Sequence, residues 1–67
     1  MKAKLKSIEG LETTSLKVDD VGEVITKVSG GGLKEGYLIM WDRDIREDCS
    51  FDVRNQCAVE RSQIELI

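Results

Sequence analysis

The 67-residue chain contains no histidine, so the usual base for activating a Ser or Cys nucleophile is missing and a Lys or carboxylate would have to replace it. Two cysteines, Cys49 and Cys57, are too few for a disulfide-stapled scaffold. Without His they cannot complete a common four-ligand zinc site. Cys49 runs in phase with Phe51 and Val53, and Cys57 lies between Arg54 and Arg61, whose charges would favour reactivity if close. Buried structural thiols are the expectation at both. Carboxylates at Asp42, Asp44, Glu47, Asp48 and Asp52 could give oxygen ligands to a hard cation. Arg43 and Arg46 interrupt them, however, and neither the glycine nor the closing Glu of a calcium loop is present. A charged hairpin laced with ion pairs fits this run better. Gly30-Gly31-Gly32 lacks the Gly-Lys-Ser/Thr and helix of a phosphate-gripping loop. The residues therefore predict no enzyme, no metal and no cofactor.

The elements that position these residues are short. A chain of 67 residues makes one domain (1–67) whose single apolar core should be marginal in stability. Residues 1–34 hold six Lys against five acids, and residues 35–67 hold four Arg against eight, giving a net charge of −3. This balance argues against a broad phosphate-binding surface. The acidic half could meet a basic partner or imitate a phosphate backbone, although a solvated face explains it as well. Lys2, Lys4 and Lys6 resemble the start of a signal peptide, but Glu9, Glu12 and polar residues 13–15 interrupt any apolar run behind them. No stretch reaches transmembrane length, so a cytoplasmic location is expected.

Residues 1–8 alternate between lysines and Ala3/Leu5, the period-two pattern of a half-buried edge strand. Residues 9–19 read as a polar loop. A β-branched second strand runs from Asp20 to Ser29 and ends at the three glycines. The most apolar run, Gly36 to Trp41, reads as a central third strand. Charged residues 42–48 turn the chain into a fourth strand, in which Cys49, Phe51 and Val53 alternate with Ser50, Asp52 and Arg54. Residues 55–61 suit a single helical turn, and Gln63 to Ile67 alternates again. The fold class is all-β, with five short strands and one helical turn before the last, the parts list of a small barrel.

Asp20-Val-Gly-Glu-Val-Ile-Thr-Lys-Val28 and the ending Val59-Glu-Arg-Ser-Gln-Ile-Glu-Leu66 resemble the SH3-like barrel, and within it the group around the KOW motif, with its glycine followed by alternating valines. Similar barrels bind RNA in ribosomal and elongation proteins, or dock on larger enzymes. The resemblance implies a nucleic-acid module using Lys2, Lys4, Lys6, Lys17 and Lys27 for phosphates and an aromatic for base stacking. This chain departs from the RNA-binding members in being acidic.

The third strand carries the most specific clue. Tyr37, Ile39 and Trp41 share one face and Leu38 and Met40 the other, so both faces of one barrel wall are apolar. Strand phase places Leu38 and Met40 inside with Val24 and Val28. Tyr37, Ile39 and Trp41 then form an outer binding stripe, with Asp42, Asp44 and Asp48 beside it giving orientation through charge. In the competing reading the loop at 9–19 or the last strand covers the stripe, or Trp41 is core. The leading expectation is a non-catalytic module that binds a protein, basic where it meets these acids, or a second copy of itself. The nucleic-acid module is the alternative, and an acidic mimic of nucleic acid the third. No membrane association is expected.

Overall fold

The period-two pattern of the first residues forms a strand in the computed structural model, which describes residues 1–12, 14–45 and 55–67. Strand β1 (Lys2–Leu5) buries Ala3 and Leu5 completely. Strand β2 (Val21–Gly30) and strand β3 (Leu33–Trp41) are the long central pair. Strand β4 (Gln56–Glu60), a 3-10 turn (Arg61–Gln63) and strand β5 (Ile64–Leu66) complete the chain. The fold is all-β, with five antiparallel strands in the order β4-β3-β2-β1-β5.

The glycines turn the chain where expected. Gly30 pairs with Leu33 across a two-residue connection in which Gly31 and Gly32 have φ of 61° and 89°. Positive φ at both central positions is the requirement of a type I′ hairpin, whose twist matches that of the flanking strands. Residues 55–61 depart from the expected helical turn. Cys57 and Val59 are buried while Gln56, Ala58 and Glu60 are less so, and that alternation makes residues 56–60 a strand. The helical turn follows at 61–63, still before the last strand. The fourth strand expected at 49–54 lies outside the described residues.

One cluster forms the core: Ala3, Leu5, Tyr37, Ile39, Trp41, Cys57, Val59 and Ile64 from the strands, with Leu11, Leu16 and Ile45 from connections. The first loop thus folds against the inner face of the sheet and covers Tyr37, Ile39 and Trp41. This corrects the face assigned to β3. Ile39 is 0% and Trp41 1% exposed, Tyr37 is buried, and Met40 is 41% exposed. Phase alone could not decide between two apolar faces, and the leucines of the first loop supply the missing partner for one of them. The barrel is loose: among the described residues β4 and β5 do not pair, so the sheet stays open. Among the described residues no helix is long and apolar enough to cross a membrane.

Candidate functional site

With Tyr37, Ile39 and Trp41 in the core, the solvent side of β3 presents Leu38 and Met40. The register extends that side across three strands. Leu38 faces Thr26 on β2 and Ala58 on β4, and Met40 faces Glu23 and Gln56. The pairing slips by one residue between Val24 and Thr26, so Ile25 is the extra residue of a β-bulge. Such an insertion turns two consecutive side chains toward the same face. Ile25 accordingly lies 46% exposed beside Thr26, which pairs with Leu38. Val28 lies one row further along, opposite Gly36. A Cβ on Gly36 would come within 2.8 Å of Leu33 Cδ1 and 3.0 Å of Val28 Cγ2, so these two side chains close over the glycine and continue the apolar surface. The result is an outer face of β2, β3 and β4 on which Ile25, Val28, Leu38 and Met40 lie among Glu23, Thr26 and Gln56.

The acidic residues expected beside the stripe divide. Asp42 and Asp44 are exposed directly after β3, whereas Asp48 lies outside the described residues, as do Glu47, Asp52 and Cys49. Asp42 approaches Lys2 at 3.8 Å. Between the two acids, Arg43 turns toward the first loop. Its Nε donates to Asp20 Oδ1 at 3.1 Å and its Nη2 to Asp20 Oδ2 at 2.7 Å. It also donates to the Ser15 backbone carbonyl and, at 3.4 Å, to Ser15 Oγ. The charged turn was legible as charged, but its attachment to residues 15–20 was not, because nothing in the spacing marks a contact over that distance.

Lys2, Lys4 and Lys6 do not form a free basic stripe. Lys4 lies 3.6 Å from Asp19 and Lys6 3.3 Å from Glu65, in addition to the Lys2–Asp42 pair. Cys57 is a buried free thiol. Among the described residues no group of three or more Cys, Asp or Glu is placed to hold a metal ion. Trp41 Nε1 is buried and has no hydrogen-bond partner among the described residues, a feature the sequence did not signal. The chain matches no family model, no curated protein and no solved structure.

Proposed function

We propose that this protein is a small non-catalytic binding module or accessory subunit whose protein partner docks on the outer face of β2, β3 and β4. The observation that carries the reading is the exposure of Ile25 and Met40, at 46% and 41%, beside Leu38 and Ala58 on one sheet surface. The core is already filled by the opposite face of β3, so these residues add nothing inward. Contiguous apolar surface on a small domain is characteristic of interaction sites. Asp42 and Asp44 lie just beyond Met40 and would set orientation and partner choice through charge.

An SH3-like barrel of the KOW group is the family-level part of this proposal. It is supported by the strand order β4-β3-β2-β1-β5, the long first connection and the 3-10 turn leading into β5. The nucleic-acid alternative loses support, because Lys2, Lys4 and Lys6 each have a carboxylate within 4 Å.

The test compares complexes isolated from the native cell with wild type and with Ile25→Ser and Met40→Ser. Both variants should melt like wild type yet lose the partner, or lose self-association in sedimentation. A hot-spot contact is worth about 2 kcal/mol or more. Retention of every complex by both variants would remove the outer face as the contact surface.

A further inference from the structure

The connection between β1 and β2 spans residues 6–20 and is held to the rest of the molecule by a small set of groups. Leu11 and Leu16 are its apolar anchors in the core. Ser15 N donates to Ile45 O at 2.9 Å, and Asp19 N to Leu5 O at 2.8 Å. Leu5 N also donates to Asp20 O at 2.8 Å and Lys4 lies 3.6 Å from Asp19, so the limb's end is tied to β1. The other polar attachments of its second half centre on one guanidinium and one carboxylate. Arg43 reaches Ser15 O, Ser15 Oγ and both oxygens of Asp20, and Asp20 Oδ2 also accepts from Lys17 N at 2.8 Å. Asp19 has a φ of 80°, a conformation costly for a residue with a Cβ, so part of this limb is held against its own backbone preference. The β2–β3 and β3–β4 ladders share none of these bonds. A segment with few anchors, attached to a well-paired sheet, opens at lower free energy than the sheet unfolds.

We propose that residues 14–20 form a strap that opens as a unit in acid while the sheet stays folded, with the Arg43–Asp20 contact as its latch. Asp20 faces Arg43 from the β3–β4 connection and Lys17 from its own loop, and the neighbouring Asp19 faces Lys4 of β1. Partial burial pushes the Asp20 carboxyl up, but the bonds from Arg43 and from Lys17 N–H outweigh it and hold the group below the usual carboxylate range. A group lowered in the folded state stabilises it fully above its unfolded value and loses that contribution as pH falls through the folded one. The latch is therefore closed at neutral pH and released on the acid side. Opening lifts Leu16 from the core and uncovers the end of the inner sheet face.

Amide hydrogen exchange on the full chain tests this, using Arg43→Gln and Asp20→Asn, with Arg43→Lys as the variant that keeps the charge and loses the fork. Protection of the Ser15 and Asp19 amides should fall about tenfold or more in Arg43→Gln and Asp20→Asn, and less in Arg43→Lys, while Ile39 in the central strand keeps its protection. The double variant should lose less than the sum of the two single losses, because both remove the Arg43–Asp20 contact. In wild type, limb protection corrected for intrinsic exchange should fall as pH drops through the carboxylate range, and Arg43→Gln should lack that step. An equal loss at Ser15, Asp19 and Ile39 would mean global destabilisation and overturn the strap. Unchanged limb protection would overturn the latch, and the same acid step in Arg43→Gln would overturn the pH gate.

Discussion

Gly22 is the position where β2 and β3 leave no room for a side chain. A Cβ there would lie 2.6 Å from Ile39 Cγ2, 2.8 Å from Met40 O and 2.9 Å from Trp41 Cα. Two of these are backbone atoms of the central strand, so the clash cannot be relieved by rotating a side chain. Gly22 also pairs directly with Trp41, the largest fully buried residue. The glycine of the Asp20–Val28 segment thus has a packing role in this chain. Gly22→Ala should cost about 1–3 kcal/mol, as overpacking of a filled core does. Urea unfolding measures it, and an unchanged midpoint would show that the two strands can move apart.

At the scale of elements, the corner between β4 and β5 is held by side chains rather than by strand pairing. Glu60 ends β4, and its carboxylate accepts from Lys34 N at 2.7 Å and Glu35 N at 3.2 Å, where β3 begins. Glu60 and Gln63 form a capping box around the 3-10 turn, and Gln63 Nε2 reaches on to Ser7 O and Glu9 O. Glu60→Ala should therefore destabilise the domain by about 1–2 kcal/mol, the scale of a lost cap. A thermal melt within error of wild type would contradict this joint role. β1, β2, β3 and β5 were legible in the sequence to within a few residues, because alternation and glycines state them locally. β4 was not: Gln56 to Glu60 is short, and its polar neighbours read as a turn until the pairing with β3 is known. The faces of β3 were illegible for a different reason. Tyr37 to Trp41 has no charged residue to fix the phase, and what fixes it comes from Leu11 and Leu16, far away in the chain, together with Ile45 just beyond the strand. The face assignment carries into the candidate site: Asp42 and Asp44 are exposed as expected, whereas Tyr37, Ile39 and Trp41 are buried.

Across the whole molecule, the described residues form an open sheet with a filled inner face and an outer face that exposes Ile25 and Met40, the surface on which the proposed binding role rests. Its charges point the same way. The chain carries a net charge of −3, and Lys2, Lys4 and Lys6 are matched by nearby acids, so counterion release on binding nucleic acid should be small. Titration of labelled single-stranded RNA and duplex DNA at physiological salt should give weak binding that disappears as salt rises. Submicromolar affinity would favour the nucleic-acid module instead. The account depends most on the division of β3 into a structural face and a contact face, and paired urea titrations of Ile39→Ala and Met40→Ser test that division directly. Ile39→Ala should lose about 2–5 kcal/mol, as a fully buried aliphatic does. Met40→Ser should stay within about 0.5 kcal/mol of wild type, as exposed positions do. A large loss at Met40 with little at Ile39 would return Tyr37, Ile39 and Trp41 to the surface and contradict the proposed docking face.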